Sequence, residues 1–167
     1  MTYQVGDKVV HWAFGPGEII QLDEKRLAGK TAWYYGVLLK DMTIWVPIGE
    51  AENHSLRQVT PAIEFERLYD ILRSVGDLLP EDRIERKGLL NERLRGGTLD
   101  DVCRVIRDLN SLSYKKKLNE NDLSTMERAR KLLLDEWKLS MSIPMEEAQR
   151  KLDFLLEEGR KFVQISD

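Results

Sequence analysis

The sequence predicts an α+β chain of two lobes, a small N-terminal β-barrel followed by a C-terminal all-α domain of about five helices. Three observations carry that expectation. Apolar residues recur with a period near two up to about residue 58 and near 3.6 from Thr60 onward, so strands give way to helices once along the chain. At 167 residues there is room for one domain or two small ones. With 42% hydrophobic and 33% charged residues the chain can bury a core, yet it is too charged to span a membrane, and no run approaches transmembrane length. The expected domains are residues 1–58 and 59–167.

In the first domain Val5, Val9 and Val10 lead into Gly15-Pro16-Gly17, followed by the runs EIIQLDEKRLAG, TAWYYGVLL and MTIWVPI. These β-branched and aromatic runs read as four short strands joined by tight turns, which suggests a small barrel. Glycine reaches positive φ without a Cβ clash and proline presets its own φ, so Gly15-Pro16-Gly17 is expected to reverse the chain between the first two strands. A phosphate-cradling loop would open a helix, and here a strand follows. Pro47 cannot donate a ladder hydrogen bond, which places the strand through Trp45 at an edge or at its own end. Alternation along Trp33-Tyr34-Tyr35 and at Trp45 sends about half of these rings inward. The remainder would form a binding surface, either an edge strand for a protein partner or a peptide-binding aromatic cage.

In the second domain Thr60 is a candidate N-cap with Pro61 at the first helical position, and Ile63, Leu68, Ile71, Leu72 and Val75 suggest one apolar face. Residues 76–80 break the pattern. A second helix is expected over about residues 81–95, ending at Gly96-Gly97. A third opens at Thr98 with Asp101 three residues on, and buries Val102, Val105, Ile106 and Leu109. Asn119 and Asp122 form a capping arrangement bracketed by Leu118 and Leu123, continued by Met126, Leu133 and Trp137. Pro144 begins the fifth, with Ala148, Leu152, Leu155 and Leu156 inward.

Chemistry-bearing residues are sparse. His11 and His54 lack partnered ligands at metal spacing, so neither a metal nor a cofactor is expected. Asp100-Asp101 and Asp135-Glu136 are sequence neighbours on helices, so each pair diverges by about 100° and reads as a solvated face. No Ser-His-Asp or Cys-His arrangement accompanies a nucleophile turn, and an enzyme is not expected. Cys103 lies at core helical spacing, where an inert buried thiol is expected. The opening MTYQVGDKVV lacks the features of a signal peptide, which points to the cytoplasm. The net charge of −3 argues against coating nucleic acid by electrostatics alone. Residues 83–117, however, hold ten Lys or Arg against five Asp or Glu, so any nucleic-acid contact belongs there.

VGDKVVHWAFGPGEI, the LAGK turn, YYGVLL, TIWVPI, VCRVIRDL and ERARKLLLDE, in that order, resemble the CarD family of bacterial transcription regulators over nearly the whole chain. The resemblance implies a Tudor-like barrel, shared with transcription-repair coupling factor, that binds the β subunit of RNA polymerase. It also implies a helical domain that touches promoter DNA at the upstream edge of the bubble and modulates open-complex stability. By this resemblance Lys25, Ile44, Trp45, Val46 and Pro47 are the polymerase-binding residues, with Trp45 standing where family members commonly carry arginine and Lys25 keeping a family basic position. The family's tryptophan wedge falls on Arg83, and neighbouring basic positions fall on Glu85 and Gly88, so DNA contact is expected from Arg83, Arg86 and Lys87 without full wedging. Contact with DNA should be weak for the free protein and stronger beside polymerase. The alternative is a protein-interaction adaptor whose barrel binds a peptide or another partner without engaging DNA.

Overall fold

The computed structural model describes residues 2–49 and 55–166, with side chains as far as Phe162. His54 lies outside the described residues. The chain divides into two compact units, Met1–Val59 and Thr60–Asp167, each with its own hydrophobic core.

The first unit is an antiparallel sheet of β1 (Lys8–His11), β2 (Gly15–Leu27), β3 (Lys30–Leu38), β4 (Thr43–Pro47) and β5 (Leu56–Gln58), in the order β4-β3-β2-β1-β5. The sheet is open. β5 pairs with β1 and β4 with β3, so the two edges do not meet and the expected closure into a barrel is absent. Nor are all the strands short: β2 and β3 run 13 and 9 residues and form a long ribbon. Its two-residue turn, Ala28-Gly29, has positive φ at both positions, which matches the twist of the flanking strands. Tyr35, Val37, Ile19, Val9 and Val46 fill the core, and the Tyr35 hydroxyl accepts from the Tyr3 amide at 3.1 Å.

The reversal between β1 and β2 does not lie where the sequence suggested. Gly15, Pro16 and Gly17 are already the first residues of β2, paired with His11, Val10 and Val9, and residues 12–14 make the turn. His11 organises that turn: its Nδ1 accepts from the amides of Ala13 at 3.1 Å and Phe14 at 3.3 Å. Gly15, at φ +83°, leads out of it. Gly17 serves a different need, since a Cβ there would lie 2.8 Å from Val37 Cγ1 and 2.9 Å from the Leu38 carbonyl oxygen.

The second unit holds a 3-10 turn (Ala62–Glu64) and five helices: α1 (Phe65–Leu72), α2 (Arg83–Arg95), α3 (Leu99–Ser113), α4 (Glu120–Met141) and α5 (Met145–Ser166). The caps at Thr98 and Asn119 are as expected, the latter a full capping box in which Asp122 returns the bond to the Asn119 amide. Trp137 is fully buried against Phe65 and Tyr69, a core residue as its spacing implies. Cys103 is buried as well, and burial pushes its thiol far above the ordinary range, so it is inert.

Four helical expectations need correction. Thr60 is not an N-cap: its amide donates to the Glu136 carboxylate at 2.8 Å, and its carbonyl accepts from the Ser140 hydroxyl at 2.5 Å. Because α1 starts at Phe65 after the 3-10 turn, its inner face is Phe65, Leu68, Tyr69 and Leu72, while Ile63 and Val75 are exposed. Leu123 is also exposed instead of packing back on Leu118. Glu136 is fully buried, so the pair Asp135-Glu136 is not a solvated face.

Candidate functional site

β4 is an edge strand, and its hydrogen-bond phase decides what that edge offers. The Ile48 amide donates to the Trp33 carbonyl at 2.9 Å and the Leu39 amide to the Met42 carbonyl at 2.8 Å. In an antiparallel ladder such pairs alternate with pairs whose polar groups face away. The register Tyr35↔Val46 and Val37↔Ile44 therefore directs Ile44 and Val46 to β3, and turns the amide and carbonyl groups of Thr43 and Trp45 toward the free edge. Pro47 also faces outward, where its missing N–H breaks no bond.

Side-chain alternation then separates the candidate residues. Val46 is buried in the sheet core and Ile44 packs against it, so these two hold the strand in place. Trp45 lies on the opposite face. Its ring crosses over Gly36 on β3, where a Cβ would lie 3.0 and 3.1 Å from ring carbons, and it reaches Lys25 on β2. The Lys25 ammonium sits 3.8 Å from the Trp45 ring centroid, a cation–π contact, and 3.7 Å from an Asp23 carboxylate oxygen. Gly36 is the residue that sequence reading missed. Its place inside the strand, between Tyr35 and Val37, is the signal, since a glycine inside a strand marks a close approach. Of the other rings, Tyr35 is fully buried, Tyr34 is partly buried and Trp33 is half exposed near the tip of the ribbon.

In the helical unit Arg83 and Lys87 are exposed on the first turns of α2, which Asp82 caps by accepting from the Glu85 amide at 2.9 Å. Arg86 is different, and the expectation that it faces DNA is corrected. It is 2% exposed, and its guanidinium binds both oxygens of Asp122 on α4 at 3.0 and 2.9 Å. The same group donates to the carbonyls of Pro80 and Glu81 at 3.0 and 3.2 Å. Arg86 therefore ties the entry of α2 to the start of α4 and has no face left for phosphate. A second buried acid, Asp108 on α3, accepts from Arg93, Arg107 and the Asp77 amide, pinning the segment that leads into α2. Three of the arginines in the basic segment thus neutralise internal acids.

No arrangement among the described residues resembles a catalytic centre. A cavity of about 260 Å³ between the ends of α1, α3 and α5 is lined by Arg107, Tyr114, Lys115 and Arg160, with no acid or histidine in its wall. No group of His, Cys, Asp or Glu among the described residues could hold a metal ion. None of the described helices is long and apolar enough to cross a membrane.

The described residues thus form a small open sheet with a presentable edge strand, followed by an all-α unit whose α2 offers cations to solvent. Family models match both units in order: the CarD-like/TRCF RID domain over residues 3–60 and the CarD C-terminal domain over residues 67–153. The chain belongs to the CarD-like family of transcription factors. It is also 23% identical, over 145 residues covering 84% of this chain and 94% of the relative, to the "Putative transcription factor YdeB" of Bacillus subtilis (strain 168).

Proposed function

We propose that the sheet unit binds the β subunit of bacterial RNA polymerase along the free edge of β4, and that the helical unit contacts promoter DNA near the upstream edge of the transcription bubble, modulating open-complex stability. The observation that carries this reading is the β4 edge. Thr43 and Trp45 offer main-chain groups that no other described strand pairs, and Trp45, braced by Lys25 across Gly36, supplies a large side chain beside them. Main-chain pairing supplies affinity and an aromatic anchor supplies selectivity. The family assignment supports a polymerase-related partner. On α2, Arg83, Lys87 and Arg95 are exposed cations available to phosphate, and Arg86 ties the entry of the helix in place.

Coprecipitation of the full chain with RNA polymerase tests the partner. Trp45→Ala should weaken that binding by about 2 kcal/mol, roughly thirtyfold, as expected of an interface anchor. Because Trp45 lies on the outer face, the sheet should remain folded. Unchanged affinity with an intact sheet would remove this surface from the account, and capture of a different protein through the same edge would favour an adaptor.

A further inference from the structure

The cavity between the ends of α1, α3 and α5 lies within the helical unit and shares no residue with β4 or α2. At about 260 Å³ it exceeds the roughly 150 Å³ that accommodates a benzene ring. Its floor is apolar, formed by Leu72 and Leu156 of the buried core. On the α3 side stand Asn110 and Ser111, whose side chains have no hydrogen-bond partner among the described residues.

The rim is cationic. Lys115 has no ion pair among the described residues, and the Arg160 guanidinium lies over the Tyr114 ring, 4.3 Å from its centroid, with the nearest Glu157 oxygen at 3.9 Å. Arg107 adds shape and not charge, since its N–H groups are held by Asp108, Ser74 and Asp77 at 3.0, 2.9 and 3.1 Å. α1 and α3 both end at the cavity, and a helix C-terminus disfavours an anion. Here the last carbonyls are occupied: Ile71 accepts from the Ser74 hydroxyl, Asn110 from the Ser113 hydroxyl and Leu112 from the Lys115 amide. One unpaired ammonium and one guanidinium shared with Glu157 suit a single negative charge better than two.

We propose that this cavity binds a small organic monoanion, a ring of about benzene size bearing a carboxylate, with the ring against Leu72 and Leu156 and the carboxylate between Lys115 and Arg160. Asn110 and Ser111 supply hydrogen bonds beside it. An apolar base with a few convergent polar groups fixes both the position and the orientation of such a ligand. Because the wall is drawn from α1, α3 and α5, a bound ligand ties three helices together and stabilises the helical unit by mass action.

NMR titration of the full chain with benzoate, phenylacetate and cyclohexanecarboxylate tests the proposal. At least one should give saturable shifts centred on the amides of Asn110, Ser111, Gly159 and Arg160, with a Kd on the order of 1 mM for so small a ligand. Benzamide and benzamidine keep the ring and carry no charge or a positive one, so each should bind about tenfold more weakly or worse. Lys115→Gln should weaken carboxylate binding several-fold, and because Lys115 is exposed and unpaired the spectrum of the free protein should otherwise stay unchanged. Equal binding of benzamide, or shifts undiminished in Lys115→Gln, would overturn the proposal, as would the absence of saturable shifts with all three acids. Tighter binding of inorganic phosphate at the same amides would overturn the assignment to a ring-bearing carboxylate. Neither polymerase nor DNA enters the titration, so its outcome is independent of the proposed function.

Discussion

His11 accepts two backbone hydrogen bonds on one ring nitrogen, which requires Nδ1 to be unprotonated and places the ring proton on Nε2. Burial disfavours the imidazolium further and holds the pKa of His11 below its ordinary 6.5. A base whose folded pKa is depressed takes up its proton first in the unfolded chain, so stability is complete above pH 6.5 and declines as pH falls toward the folded pKa. The sheet unit should therefore lose stability on acidification in that window, with the amides of Ala13 and Phe14 losing exchange protection first. His11→Asn, whose Oδ1 can take the place of Nδ1 without titrating, should abolish the dependence. An NMR titration midpoint for His11 at or above 6.5 would contradict this account. The strand position of His11 was legible in the sequence. Its role in the turn was not, because Gly15-Pro16-Gly17 looked like a sufficient cause of the reversal, whereas the turn precedes them and is capped by a side chain.

At the scale of elements, the helix starts at Thr98 and Asn119 were legible because the residue that caps and the amide it serves lie within one turn of each other. The start at Thr60 was not, because its amide is taken by Glu136, 76 residues away. The buried charges escaped for the same reason. Asp122 was recognised as part of a capping box, but nothing local couples it to Arg86 on another helix, and a charge in a sequence reads as solvated until its partner is known. Loss of one member of this pair leaves the other buried and uncompensated, so Arg86→Met should cost the helical unit about 3–5 kcal/mol. The double variant Arg86→Met/Asp122→Leu should recover most of that, retaining a deficit of about 1 kcal/mol from the lost capping box. Urea unfolding followed by Trp137, the single tryptophan of the helical unit, separates these outcomes. A single variant no worse than the double would show that the ion pair is not what joins α2 to α4. The inner face of α1 was misjudged for a different cause, since a 3-10 turn ahead of Phe65 shifts the phase of every apolar position before it.

At the scale of the whole molecule, two units with separate cores hold different chemistry: an edge strand in one and an exposed cationic helix in the other. The net charge is −3, and on the proposed α2 contact face Arg86 and Arg93 are engaged with internal acids, which leaves Arg83, Lys87 and Arg95 exposed there. The free chain should therefore bind duplex weakly, with a log–log salt slope of about −2 to −3. In the proposed complex with polymerase, the local concentration of the helical unit near DNA rises to the millimolar range typical of tethered modules, and contact should become measurable at physiological salt. Tight sequence-specific binding by the free chain, or a slope near −6, would contradict this assignment of charges. The β4 edge has a consequence of another kind, for dosage. In the proposed arrangement, whatever fraction of the chain is in surplus over polymerase carries that edge uncovered, and an uncovered strand is a template for pairing with its own kind. Here the template is short: among the described residues of β4, only Thr43 and Trp45 present both a donor and an acceptor to the edge, and Pro47 presents an acceptor alone. The brevity that limits how much main chain a partner can grip also keeps surplus copies from growing into a shared sheet.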